Sequence, residues 1–207
     1  MLVLPNSSST PDVKFHVGRS AGVVAAMFID RSAQIEWLAS LFPAVAPAQG
    51  AVTVMFTDIA GFTAFAASRG ERATMGLLRR HDAAVLPALR HHGGRILKRL
   101  GDGLMATFPS PAGAVSAALA MQHVATRRGG LRLRIGVHAG AARWREGDLV
   151  GHDVNLASRI ADRAAGGQIL VSEAVRTSAD GIPARFRRTR PLVVPGREPT
   201  AVFRVER

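Results

Sequence analysis

Two short glycine-bearing turns constrain the fold of this chain more than any other feature. The segment FTDIAGFT occupies positions 56–63, and GDG occupies positions 101–103. In each segment the aspartate, Asp58 or Asp102, follows an apolar, β-prone run. Both carboxylates are therefore expected where strands end and backbone amides are free. Two carboxylates brought together form a site for a hard cation such as Mg²⁺ or Mn²⁺, bound together with a phosphate substrate.

The composition predicts a globular protein with one core. The chain has 207 residues, of which 47% are hydrophobic, and its mean hydropathy is +0.13. This length suits one domain and an appendage, but not two full domains. No apolar stretch reaches the roughly 20 residues of a membrane span, and the start lacks a basic region before an apolar stretch. We therefore expect a cytoplasmic protein without a transmembrane segment.

The charge balance is strongly basic, with a net charge of +12. Such a charge can indicate nucleic acid or an anionic membrane as a partner. However, every basic residue except Lys14 and Lys98 is an arginine, tyrosine is absent, and no aromatic platform is interleaved with the arginine clusters. The sequence therefore favours a compositional bias over nucleic-acid binding. The absence of cysteine excludes disulfides and thiolate metal sites.

The chain divides at a stretch rich in Pro, Ala and Gly. PAVAPAQG at 43–50 predicts a linker. Residues 1–50 are thus expected to form an N-terminal segment, in which Ser32 to Leu41 has the spacing of an amphipathic helix. Residues 51–207 are expected to form the main domain.

Hydrophobic periodicity and turn signals predict alternating strands and helices in the main domain. In order, these are a strand at 52–57, a short helix at 61–68, a longer helix at 72–91 kinked by Pro87, strands at 95–100 and 104–108 joined by GDG, a helix at 111–126, a strand at 131–139, a polar excursion at 143–148, a helix at 152–164, a strand at 168–171, a helix at 173–178, and closing strands near Leu192 and Val202. The β-α-β-β-α-β core predicts an α+β fold, a ferredoxin-like antiparallel sheet with its helices on one face.

Three motifs in this order also carry a family resemblance. FTDIAGFT, KRLGDG at 98–103 and DLVGHDVNLASR at 148–159 resemble the catalytic domain of class III nucleotidyl cyclases, and the spacing continues through GGQILVSE at 166–173. These enzymes convert a nucleoside triphosphate to its 3′,5′-cyclic monophosphate. The resemblance covers about residues 51–207 and implies the fold of that domain.

The cyclisation chemistry explains why two aspartates are needed. Attack of a ribose 3′-oxygen on the α-phosphorus requires a deprotonated hydroxyl, a neutralised triphosphate and an in-line geometry. Asp58 and Asp102 would hold two divalent cations, Mg²⁺ or Mn²⁺, one lowering the pKa of the 3′-hydroxyl and the other binding the β and γ phosphates. By resemblance, the carbonyl of Ile59 adds a metal ligand.

Other residues are expected to bind the phosphates and the ribose. Gly61, Phe62 and Thr63 open a helix whose free amides can receive phosphate oxygens. Asn155 and Arg159 are four residues apart on a predicted helix and therefore share a face. By resemblance, Asn155 orients the ribose and Arg159 donates to the α-phosphate in the transition state, as suits a planar fork of donors.

Base choice depends on Lys98 and Asp148. One ammonium and one carboxylate match the ring acceptor and the exocyclic amino donor of adenine. By resemblance, this pair is the adenylate arrangement, whereas guanylate cyclases typically place glutamate and a small residue such as cysteine there. Many relatives also use a lysine in a late LKG-like stretch to contact the terminal phosphates. Here the stretch is VPGRE at 194–198, so Arg197 is the candidate for that contact.

The resemblance further implies active sites shared between two catalytic domains. Metal aspartates come from one domain, and the base, ribose and phosphate residues come from the other. This chain carries both sets, so a homodimer with two equivalent sites is expected. The sequence thus predicts an adenylate cyclase that makes the signalling molecule cyclic AMP and pyrophosphate from ATP. A cyclase of the same fold using GTP or a pyrimidine triphosphate stays open, as does a catalytically silent nucleotide-binding regulatory module.

Overall fold

The computed structural model describes residues 50–145 and 147–207. The predictions of an N-terminal segment and of a helix at Ser32 to Leu41 lie outside the described residues. Of the predicted linker, only Gly50 is described, and it is the first residue of a strand. Within the described ranges, no helix is long and apolar enough to cross a membrane.

Strands and helices alternate through the described chain as the sequence pattern predicts. In order, the elements are β1 (Gly50–Ile59), α1 (Phe62–His91), β2 (Arg95–Leu100), β3 (Gly103–Phe108), α2 (Pro111–Gly129), β4 (Leu133–Arg145), β5 (Asp148–Val150), α3 (His152–Arg163), β6 (Ile169–Ser172), α4 (Glu173–Thr177), β7 (Arg185–Arg188) and β8 (Val202–Glu206).

The strands form one mixed sheet in the order β2-β3-β1-β4-β6-β8-β7, with β5 paired to β4. β1 lies between β3 and β4 and is antiparallel to both, whereas β6 is parallel to β4. The order β2-β3-β1-β4, with α1 and α2 as the crossover helices, is the ferredoxin-like arrangement. The predicted α+β fold class is confirmed.

Alternate residues of β1 belong to cores on opposite faces of the sheet. Met55 packs in the larger core with residues of α1 and α2, and Val54 packs in a second core with residues of α3. The predicted helix at 111–126 is confirmed as α2, and four residues at helical spacing form its buried face: Ala114, Ala117, Ala118 and Met121. The sheet therefore carries α1 and α2 on one face and α3 on the other.

The first helix is interrupted between residues 68 and 72, where the sequence predicts a break, and its backbone stays helical at Pro87. The two expected helices form one helical segment, interrupted at Gly70, whose backbone is non-helical at φ 72° and ψ 175°. Pro87 lies inside the helix, but the non-helical residue is Gly70. A glycine adopts this positive φ with no Cβ penalty, which explains the location of the break.

Two strand predictions were wrong. The predicted polar excursion at 143–148 is part of a hairpin, because β4 continues to Arg145 and pairs with β5. Arg143, Trp144 and Arg145 are exposed, so this part of the strand is ordered by pairing rather than by burial and lacks the hydrophobic pattern of a strand in the sequence. The expected strand near Leu192 is only a single bridge to Thr200. The edge strand β7 instead contains three arginines, a composition that protects a sheet edge but resembles a loop in the sequence.

Candidate active site

The two aspartates of the glycine-bearing turns meet at the end of β1. Asp58 lies near the end of that strand, and Asp102 lies in the turn between β2 and β3, next to it in the sheet. The amide nitrogen of Ile59 is 2.9 Å from Oδ1 of Asp58 and 3.1 Å from Oδ2 of Asp102. Both carboxylates thus converge on one backbone amide, which places the predicted metal ligands together.

A basic side chain that the sequence reasoning missed balances part of this charge. Arg134 of β4 lies opposite Asp58 in the strand register and forms an ion pair with its Oδ2. Burial raises the pKa of the Asp102 carboxyl, although hydrogen bonds from the amides of Ile59 and of Asp102 itself oppose this shift. The alternation Leu-Arg-Leu-Arg-Ile at 131–135 indicates a strand that has its arginines on one face. Only the register of β4 against β1 places Arg134 next to Asp58.

The chemistry of this corner fits hard divalent cations. Its donors are carboxylate oxygens and the carbonyl of Ile59, and the desolvation of Asp102 would be relieved by a bound positive charge. The part of the chain that the structure describes contains no group of three or more His, Cys, Asp or Glu side chains that could hold a metal. One or two carboxylates, substrate phosphates and several waters are the ligands that Mg²⁺ typically has in nucleotide sites.

A cleft of about 520 Å³ opens beside the two carboxylates. Its lining includes Asp58, Asp102, Arg134 and the first residues of α1, from Gly61 to Ala64. Gly61 caps the helix without a side-chain hydrogen bond, and the first intrahelical bond runs from the amide of Phe65 to the carbonyl of Gly61. The amides of Phe62, Thr63 and Ala64 therefore have no intrahelical acceptor and are available to an anion.

The two residues predicted to select the base contact each other. Nζ of Lys98 in β2 lies 2.6 Å from Oδ2 of Asp148 in β5, although 50 residues separate them in sequence. Their side chains are 34% and 42% exposed, so the pair is open to a ligand. The other oxygen of Asp148 accepts a hydrogen bond from the amide of Leu149. One ammonium and one carboxylate are thus presented side by side.

The neighbouring residue anchors the strand that carries Lys98. Arg99 donates two hydrogen bonds to Asp82 of α1, at 2.9 and 3.0 Å. Burial opposes ionisation of Asp82, but hydrogen bonds from His81 and Arg99 outweigh it and lower its pKa. This bidentate pair fixes β2 to α1 between Lys98 and the turn that carries Asp102.

The predicted ribose and α-phosphate residues lie on the exposed face of α3. Asn155 and Arg159 are both exposed, and the opposite face of the helix is buried against the sheet. Neither residue lines the cleft at Asp58 and Asp102. Arg197 lines a second cleft, of about 560 Å³, which also includes His152 at the start of α3. Within one chain, the predicted site residues therefore form separate groups.

Comparison with known proteins identifies the family. The family model of the adenylate and guanylate cyclase catalytic domain matches residues 44–207. The chain belongs to this family. The cyclase domain also resembles the crystal structure of the adenylyl cyclase CyaB from P. aeruginosa, with a TM-score of 0.67 and 26% identity over 77% of this chain and 95% of that one. Its structural neighbours confirm the predicted class III cyclase fold.

Curated relatives match the cyclase domain over only part of their own length. A serine/threonine-protein kinase, pkn2 of Myxococcus xanthus, is 27% identical over 164 residues, which are 75% of this chain and 20% of that protein. A pH-sensitive adenylate cyclase of Mycobacterium tuberculosis is 34% identical over 141 residues, which are 66% of this chain and 34% of that protein. The chain thus spans about a fifth to a third of the length of these relatives.

Proposed function

We propose that this nucleotidyl cyclase domain is an adenylate cyclase that converts ATP to 3′,5′-cyclic AMP and pyrophosphate. The observation that carries the choice of ATP is the contact between Lys98 and Asp148. A paired ammonium donor and carboxylate acceptor are complementary to the ring nitrogen and the amino group of adenine. In the same orientation guanine has a carbonyl where adenine has its amino group, and an N–H where adenine has its ring acceptor, so the carboxylate would face an acceptor and the ammonium a donor.

The metal-binding half of the site would come from one protomer. Asp58, Asp102 and the carbonyl of Ile59 would hold two divalent cations, which when bound supply charge neutralisation and activation of the 3′-hydroxyl. The amides that open α1, at Phe62 and Thr63 after Gly61, would receive phosphate oxygens.

Arg134 would bind phosphate in the same protomer. Arg134 lines the cleft, and its guanidinium forms an ion pair with Asp58. A planar fork of donors suits phosphate oxygens, and its positive charge complements the triphosphate.

The base and ribose half would come from a second copy of the chain. Lys98 and Asp148 would bind adenine, Asn155 would orient the ribose, and Arg159 would donate to the α-phosphate as charge develops. Arg197 would contact the terminal phosphates. The exposure of Asn155 and Arg159, outside the metal cleft of their own chain, supports a homodimer with shared sites.

The product of the reaction tests this proposal. Purified protein is incubated with each of the four ribonucleoside triphosphates and Mg²⁺ or Mn²⁺, and cyclic products are separated by liquid chromatography. We expect cyclic AMP to dominate. A dominant cyclic GMP or pyrimidine product would support a cyclase with another substrate, and no cyclic product from any triphosphate would support a silent regulatory module.

Exchanging the base-selecting pair should change the substrate preference. In the double variant Lys98→Glu and Asp148→Cys, the ratio of kcat/KM for ATP over GTP is expected to fall by at least about tenfold, because the donor and acceptor at the base are replaced. The ratio is measured at a fixed metal concentration. The matched control is Asp162→Cys, an exposed carboxylate on α3, which should preserve it. An undiminished preference for ATP would show that Lys98 and Asp148 do not contact the base.

A further inference from the structure

A buried histidine that the proposed chemistry does not use lies beneath α3. His138 of β4 is only 8% exposed. Its Nδ1 is 2.7 Å from Oγ of Ser172 in β6, and its Nε2 is 3.5 Å from Oδ1 of Asp153 in the first turn of α3. Three elements thus meet through one imidazole.

The arrangement of Ser172, His138 and Asp153 resembles a nucleophile with its base and orienting acid. Ser172 does not act as a nucleophile, because it is only 1% exposed and a substrate cannot reach it. Burial lowers the pKa of His138, with Asp153 opposing the shift and His152 adding to it. The neutral ring satisfies both neighbours when Nε2 donates to Asp153 and Nδ1 accepts from the hydroxyl of Ser172.

The strand beneath α3 is shaped to bring the helix close. Gly136 and Gly140 lie on the same face of β4 as His138, one on each side of it. A Cβ at Gly136 would overlap the backbone of Ala161, and a Cβ at Gly140 would overlap the carboxylate of Asp153. The helix therefore contacts β4 near both of its ends, with His138 between the two contacts.

Asp153 also binds the backbone of the same strand. Its Oδ2 accepts a hydrogen bond of 2.6 Å from the amide of Ala141. One carboxylate thus holds the first turn of α3 to β4 at two points, His138 and Ala141. Asn155 follows two residues later and Arg159 six residues later, on the exposed side of the helix.

We propose that Asp153 and His138 form a latch that positions α3, and with it Asn155 and Arg159, for the transition state. This role rests on the proposed function of those two residues. Asp153 and His138 are positioning residues, since they act through the helix. Small displacements of catalytic groups cost rate rather than substrate binding when the groups act in the transition state.

Kinetics of three variants test the latch. Asp153→Ala removes both contacts and is expected to lower kcat about tenfold with KM for ATP changed less than about twofold. Asp153→Asn keeps an oxygen that can accept from the amide of Ala141 and should recover most of the loss. Asp162→Ala removes an exposed carboxylate from the same helix and is expected to leave kcat unchanged.

Amide hydrogen exchange across residues 152–163 gives a readout that does not need catalysis. Exchange in Asp153→Ala should be about tenfold faster in the first turns of α3 than in Asp162→Ala, because the helix start is released. Unchanged exchange overturns the latch. Faster exchange with an unchanged kcat overturns its positioning role, and a lower kcat with unchanged exchange shows instead that Asp153 acts in the site directly. A wild-type chain that makes no cyclic nucleotide refutes the proposed function, while exchange still decides whether the latch exists.

Discussion

Replacing Asp102 with asparagine is expected to lower cyclic AMP formation by at least about a thousandfold. The proposed cations would stabilise the transition state by several kcal/mol, and each 1.36 kcal/mol corresponds to a factor of ten in rate. Asparagine retains an oxygen that can accept the hydrogen bond from the amide of Ile59, which Asp102 receives at 3.1 Å. It removes the negative charge while preserving the turn. Asp102→Ala should lose activity to the same extent.

Initial rates with saturating ATP and increasing Mn²⁺ measure this effect. Asp162→Asn, which removes a charge from an exposed position on α3, should retain the wild-type rate. Thermal unfolding of each variant shows whether the fold is intact. If Asp102→Asn keeps more than about a tenth of the wild-type rate, Asp102 does not hold an essential cation.

The corner that contains Asp58 and Asp102 could be predicted because the sequence information that specifies it is local. Each aspartate directly follows a strand and lies in a turn marked by glycine, so the sequence shows where the strands end. The prediction that Asp58 and Asp102 would meet needed only the ferredoxin-like order, in which β1 and β3 are neighbours. The helix α2 was also predictable, because the spacing of its apolar residues is local information.

The residues that were missed depend on register and tertiary packing. Arg134 reaches Asp58 because β4 pairs antiparallel with β1 at one particular register, and a shift of one residue would move its side chain to the other face. His138 and Asp153 are 15 residues apart and meet only when α3 folds back across β4. β7 was missed because an arginine-rich edge strand is ordered by hydrogen bonds to β8 rather than by burial.

The same limit applies to the substrate site. The motifs predict base, ribose and phosphate residues, but only the family resemblance, and no local pattern in the sequence, indicates that a second chain supplies them. The contact between Lys98 and Asp148 forms within one chain, whereas Asn155 and Arg159 lie outside the cleft that Asp58 and Asp102 line. A complete site is therefore proposed to require two copies of the chain.

Complementation between two inactive variants tests that claim most directly. Asp58→Ala removes the metal-binding half from both sites of its homodimer, and Arg159→Ala removes the phosphate-binding half from both sites of its own. A heterodimer of the two has one site with both defects and one intact site. An equal mixture that re-associates at random should therefore recover about a quarter of the wild-type activity.

The measurement uses the two variants with different affinity tags, mixed and then purified over both tags so that only heterodimers remain. Cyclic AMP formation by these heterodimers is compared with that of each variant alone. The proposed shared site predicts about half of the wild-type rate per dimer, from two variants that are each nearly inactive. Heterodimers that form stably and yet produce no more cyclic AMP than the separate variants would contradict it.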